Sequence, residues 1–253
     1  MHEGYMAMVL LVVALVGLLI GACLNVLIIR IPKERSFQGV PKCTRCNRPL
    51  MWWQWLPVIG WLVQGGKARC CGRQLNLIFP IVEILYAAAL TAFAARYQFS
   101  PTFFYLALIA AVLIVTGAID WLHRYIYTLF ILAPALIVLI LASFIPGHSF
   151  LSALVGALVG GFVFTLLFFL AHFLFPAKSA PFGLGDVYLS IFIGAAVGII
   201  HLMPALFYGI LLAGLFSLGI LVARKMGKSQ TEYIAYGSFL CLGTLGYLAV
   251  VGI

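Results

Sequence analysis

The stretch YQFSPTFFYLALIAAVLIVTGAID, Tyr97 to Asp120, decides the fold of this chain. It carries no charge from Tyr97 to Ile119 and stops on an aspartate. About 20 consecutive apolar residues cross a bilayer as a helix, so the stretch reads as a membrane span with a carboxylate at its border. A charged side chain costs about 2.5–3.5 kcal/mol at the centre of an inserted helix and less near the interface. The chain has one other aspartate, Asp186, which opens the apolar run Val187 to Ala223 directly after Gly183-Leu184-Gly185. Two acids kept at the border of hydrocarbon are expected to work together. Two carboxylates sharing a proton are the chemistry of an aspartic protease.

The same reading extends to both ends. Of the 253 residues, 65% are hydrophobic and 8% charged, against about 25% charged in soluble domains. An ordinary soluble domain is excluded. Gly4 to Ile29 holds one span, Leu75 to Ala95 a second that Glu83 interrupts, and Tyr97 to Ile119 a third. Tyr125 to Ala177 is too long for one helix and breaks at Pro146-Gly147-His148. Val187 to Ala223 is also too long, with a break expected near His201 to Pro204. Tyr233 to Ile253 closes the chain. The expected fold is an all-α polytopic membrane protein with about eight transmembrane helices and a small cysteine-bearing cytoplasmic loop after the first.

The basic residues then orient it. With eight spans, Arg96 is the sole exception among the fifteen Lys and Arg to a one-sided distribution, and the positive-inside rule makes the rich side cytoplasmic. Both termini are then expected outside, and both aspartates at the cytoplasmic ends of their helices. The excess of positive charge follows from topology and needs no nucleic-acid partner. The leading segment has His2 and Glu3 but no Lys or Arg, which is wrong for a cleaved signal peptide. A retained first helix is expected.

The chain divides into a front part, residues 1–95, and a six-span back part, 96–253. The loop 30–74 is the only sizeable polar segment. It carries Trp52, Trp53, Trp55, Trp61 and four of the six cysteines. Cys43-Thr44-Arg45-Cys46 is a Cys-x-x-Cys, and Cys70-Cys71 follows. Four thiolates in a reducing compartment suggest a structural zinc site; the alternative is a degenerate knuckle held by packing. Glu83 is expected to face protein or water. Gly183-Leu184-Gly185-Asp186 would let a substrate strand approach the carboxylate, or would simply be a loop with Asp186 as a helix cap. Asp120 lies at a helix C-terminus, where the macrodipole disfavours an acid, so capping does not explain it; pairing with Arg124 is the plain alternative.

These segments together resemble the type IV prepilin peptidases, over nearly the whole chain. Gly21-Ala22-Cys23-Leu24-Asn25-Val26, with Arg30 and Pro32, is similar to the family's Gly-Ser-Phe-Leu-Asn-Val start. Leu56-Pro57-Val58-Ile59-Gly60-Trp61-Leu62 and Gly65-Gly66-Lys67 resemble its loop motif, and Pro80-Ile81-Val82-Glu83 its Pro-Leu-Val-Glu. The resemblance implies a bacterial inner-membrane enzyme that cuts the basic leader from prepilins or pseudopilins after a glycine. It implies Asp120 and Asp186 as the catalytic pair, with Gly183 and Gly185 shaping the motif. Many members then methylate the new N-terminus with S-adenosylmethionine, which points to the region of Asn25, Arg30, Gly66 and Glu83. The chain departs from the pattern in three places: Ala68 replaces a cysteine, Tyr127-Thr128 replaces Pro-Asp, and Ala235-Tyr236-Gly237-Ser238 replaces Pro-Phe-Gly-Pro. The rival readings are a proton-coupled transporter using the aspartates as a relay and a non-catalytic assembly factor.

Overall fold

The computed structural model describes residues 2–34, 42–43, 46, 48–174, 183–225 and 235–253. Arg35, Arg45, Lys178 and Lys228, used above to orient the chain, lie outside the described residues. The chain separates into two compact units, Met1–Phe103 and Phe104–Ile253.

In the first unit, helices α1 (His2–Arg30) and α3 (Ile78–Tyr97) pack on each other, with short α2 (Ile59–Val63) in the loop between them. Gly21 sets the approach: a Cβ there would lie 2.7 Å from the Cα of Glu83. The loop holds no long strand among its described residues. Two isolated antiparallel bridges, Lys42 with Pro49 and Lys67 with Gln74, close two tight turns.

The second unit contains most of α4 (Pro101–His123), then α5 (Thr128–Leu141), α6 (Phe150–Leu174), α7 (Leu184–Lys225) and α8 (Tyr236–Val250). Helices α5, α6 and α8 all pack on α7. Small residues bring α6 and α7 together: Gly156 meets Gly194, and Gly160 meets Ser190, whose hydroxyl donates to the Gly160 carbonyl at 3.0 Å. Close backbone approach of this kind is how helices associate where lipid offers no hydrophobic drive.

Among the described residues, five helices (α1, α3, α4, α6, α7) are long and apolar enough to cross a membrane, while α5 and α8 are apolar but shorter. The 42-residue α7 is about 63 Å long at 1.5 Å per residue, twice the roughly 30 Å of hydrocarbon. It is two helices, joined where Gly198 takes φ 73° and ψ 172°. Counted so, the apolar segments number eight, and the all-α polytopic architecture stands. One boundary needs correction. The break lies at Gly198, not between His201 and Pro204, because only Gly198 leaves the helical region, while Pro204 stays inside the helix.

Candidate active site

Asp120 occupies the last turn of α4, where the chain turns through Arg124 at φ 55°. Its carboxylate is buried, with 7% of its surface exposed. Oδ2 accepts two hydrogen bonds from Ser238, one from the backbone N–H at 2.7 Å and one from Oγ at 2.9 Å. Ser238 lies in the first turn of α8, where backbone N–H groups have no partner within the helix. Asp120 therefore caps a helix other than its own, at the end where the macrodipole favours an anion. Capping does explain Asp120, through α8 and not through α4. The Arg124 charge does act on Asp120, but the hydrogen bonds come from α8.

Asp186 is the third residue of α7. Its Oδ2 accepts from the Gly183 N–H at 3.2 Å, while its own N–H donates to the Gly183 carbonyl at 3.1 Å. This reciprocal pair closes the Gly-Leu-Gly-Asp turn and leaves the carboxyl half-buried. The helix-cap reading of Asp186 thus describes its local bonding without excluding a second role.

Ile126 shows how the two elements meet. A Cβ on Gly185 would lie 2.8 Å from the Ile126 Cβ; a Cβ on Gly237 would lie 2.9 Å from Ile126 Cδ1 and 3.1 Å from Asp120 Oδ2. Two glycines thus leave room for one isoleucine between the Asp186 turn and the α8 start beside Asp120. Electrostatics agree. The Asp120 charge acts on Asp186, both acids act on the buried Cys241 thiol, and Asp186 acts on Tyr236. The rings of Trp121, Phe216 and Phe239 lie within 6.1 Å of one another next to Asp120. Sequence reasoning singled out both acids and both glycines but missed Ile126, Tyr236, Gly237 and Ser238. No local signal marks Ser238, which is the third residue of α8, while Ala235 stands at its cap.

In the first unit, Glu83 is buried, 8% exposed, and uses both oxygens. Oε1 accepts from Asn25 Nδ2 at 2.8 Å, and Oε2 from the Val58 N–H at 2.6 Å. Val58 has φ 55°, a costly conformation for a β-branched residue, and Glu83 fastens it. This acid ties α1 and the loop to α3. Asn25 and Glu83 line a cavity of about 170 Å³ with Trp55, Trp61 and Gln64. Asn25 Oδ1 and Trp61 Nε1 are buried there without a hydrogen-bond partner among the described residues. Arg30 and Gly66 do not line the cavity; Gly66 packs against the Trp61 ring, 2.9 Å from where its Cβ would be.

The sulfurs of Cys43, Cys46, Cys70 and Cys71 all lie within 4.8 Å of one another. In one turn Cys43 N–H donates to the Arg48 carbonyl; in the other Ala68 N–H donates to that of Arg73. The two pairings have the same spacing, so Ala68 stands where Cys43 stands and Cys71 where Cys46 stands. Cys70 supplies the fourth thiol from inside its turn. Tetrahedral zinc with Zn–S near 2.3 Å needs sulfurs about 3.8 Å apart. Here Cys43 to Cys71 is 3.8 Å, Cys70 to Cys71 3.9 Å and Cys46 to Cys70 3.2 Å. The Cys43–Cys71 and Cys70–Cys71 spacings match that tetrahedron, and Cys46 to Cys70 is shorter than it needs.

Comparison with known proteins bears on this geometry. Residues 15–97 match a family described as the bacterial peptidase A24 N-terminal domain, and residues 107–218 match the type IV leader peptidase family. A prepilin leader peptidase/N-methyltransferase of Myxococcus xanthus is 29% identical over 85% of this chain and 64% of its own length. This chain thus spans less than two thirds of that relative. Proteins of the same description from Bacillus subtilis and Aeromonas salmonicida are 27% and 28% identical, over 88% and 94% of this chain and 90% and 89% of theirs. No solved structure matches the chain. One match holds the Asn25–Glu83 pair and the cysteine cluster, the other both aspartates with Ile126, and in this order they place the chain in the type IV leader peptidase family.

Proposed function

We propose that this chain is a prepilin leader peptidase of the bacterial inner membrane, using Asp120 and Asp186 as an aspartic dyad. The observation that carries the reading is the convergence of α4, α7 and α8 on both acids. One carboxylate, ionised, takes a proton from water as its oxygen adds to the scissile carbonyl; the other, protonated, gives its proton to the carbonyl oxygen. The substrate is a prepilin or pseudopilin whose basic leader stays on the cytoplasmic side, with both termini of this chain outside. Gly183, with room where a Cβ would stand, would admit the extended substrate backbone beside Asp186, while Gly185 makes room for Ile126. The test is incubation of the detergent-purified chain with a peptide of basic leader, glycine and apolar segment. Mass spectrometry should show a single cut after the glycine. Random cuts, or none, would exclude the reading.

The front unit would serve methylation of the new N-terminus. Asn25 Oδ1 accepts and Trp61 Nε1 donates, which fits the ammonium and carboxylate of S-adenosylmethionine, with Glu83 holding Asn25. A cavity near 150 Å³ takes a benzene-sized group, so the space suits the methionyl end. When bound, the cofactor would supply the methyl group. With the cofactor added, the apolar product is expected to gain the mass of one methyl.

Cys43, Cys46, Cys70 and Cys71 would hold a structural zinc that braces the loop. Elemental analysis of the purified chain should find about one zinc per molecule by that coordination chemistry. Cys43→Ser should lose most of it. A chain without metal whose loop melts unchanged would favour a packed knuckle instead.

A further inference from the structure

We propose that Ser238 is a positioning residue whose hydroxyl follows the charge on Asp120 through the reaction, making Asp120 the acid that activates water; this rests on the dyad reading above. Ser238 is 3% exposed. Its N–H at 2.7 Å and its Oγ at 2.9 Å both reach Asp120 Oδ2, and the same Oγ lies 2.9 Å from the Gly117 carbonyl oxygen. A hydroxyl has one hydrogen and donates to one acceptor at a time. Bonds to an ionised acceptor are roughly twice as strong as neutral ones. The hydroxyl therefore turns to Asp120 when that acid is charged, and to Gly117 when it carries a proton.

The two acids differ in this respect. Asp120 is held through one oxygen by two donors, so Oδ1 is the oxygen that meets water. Asp186 is held by one backbone donor at 3.2 Å, on a half-buried turn. The asymmetry assigns the roles. Water adds its oxygen to the carbonyl carbon, its proton passes to Asp120 Oδ1, and the Asp186 proton passes to the carbonyl oxygen as the C=O π bond opens. The Ser238 hydroxyl swings to Gly117. As the C–N bond breaks, Asp120 returns its proton to the leaving nitrogen and the diol returns one to Asp186. The hydroxyl then swings back. Proline, which the family pattern has at this position, offers neither donor.

Cleavage kinetics with the leader peptide test it. Ser238→Ala should lower kcat about tenfold, with KM changed less than about twofold. Without the bond that favours charge on Asp120, worth about that factor, the shared proton shifts towards Asp120 and fewer molecules hold the dyad in its productive arrangement. Ser238→Thr, which restores a hydroxyl, should recover most of kcat. If Ser238→Ala does not accumulate in the membrane, Ser238→Cys reads the same quantity, because a thiol fills the space but donates weakly. Parental kcat in these variants, a loss confined to KM, or Ser238→Thr no better than Ser238→Ala would overturn the proposal. Asp120→Asn separates the two levels. If it still cleaves, the dyad reading falls; if it is inert while Ser238→Ala matches the parent, only the role of Ser238 falls.

Discussion

Asp120→Asn and Asp186→Asn should each lower leader cleavage by at least about 1,000-fold, and the double variant should be no worse than either single one. Members of one catalytic unit behave this way, because removing any of them disables the same step. The substitutions spare the fold. Asn at 120 keeps an oxygen that accepts from the Ser238 N–H, so the start of α8 stays capped. Asn at 186 keeps an acceptor for the Gly183 N–H. The measurement is peptide cleavage on protein whose membrane insertion and melting match the parent. Two additive losses would mean that the acids act independently. Unchanged cleavage together with lost proton flux in proteoliposomes would support the carrier reading, in which the acids serve as a relay.

The placement of these acids shows what a linear sequence can and cannot carry. Span number was legible because it rests on a count along the chain, the length of each apolar run. Both acids stood out because carboxylates are rare near hydrocarbon. The partner of Asp120 was not legible. Ser238 is far along the chain, and it meets Asp120 only because α4 and α8 belong to one packed unit. Local helix rules asked whether Asp120 suits the end of α4. The structure answers that it suits the start of α8.

The cysteine loop gives a second case. The missing cysteine at Ala68 was visible in the sequence, as was the pair Cys70-Cys71. Whether adjacent thiols could complete one site depended on the shape of a six-residue turn. That shape appears in the Ala68 and Arg73 backbone pairing, which puts Cys70 3.2 Å from Cys46. Glu83 was read as an acid that must face protein or water, and it faces protein. Its partner Val58 N–H could not be read out, because a valine at positive φ runs against every local preference.

The break in α7 was misplaced for a related reason, and it yields the second large prediction. Proline is the usual cause of a kink, so Pro204 drew the expected boundary, while Gly198 was one of 25 glycines. Its conformation, φ 73° and ψ 172°, is open essentially to glycine alone. A Cβ there would also lie 2.6 Å from both His148 Cε1 and Ser152 Oγ. Breaking the helix frees carbonyls, and the structure satisfies them. Tyr105 OH donates to the Ala196 carbonyl at 2.9 Å and lies 3.5 Å from that of Ala195. His148 is buried against the Tyr105 ring at 5.9 Å, and burial draws its pKa below the ordinary imidazole range.

Gly198→Ala should therefore destabilise the protein by about 2–6 kcal/mol, the sum of about 1–3 for backbone strain and about 1–3 for overpacking. Cleavage should fall with it, since Gly198 joins the half of α7 that carries Asp186 to the half that packs on α8. Thermal melting in detergent is the measurement. Gly214, also in α7 but with open space around it, is the control, and Gly214→Ala should be neutral or mildly stabilising, as Ala is in a helix. His148→Ala added to Gly198→Ala should recover the His148 share of the steric loss and leave the Ser152 contact and the strain. Equal effects at Gly198 and Gly214 would mean that α7 is one bent helix, and that its two halves are not held by a built joint.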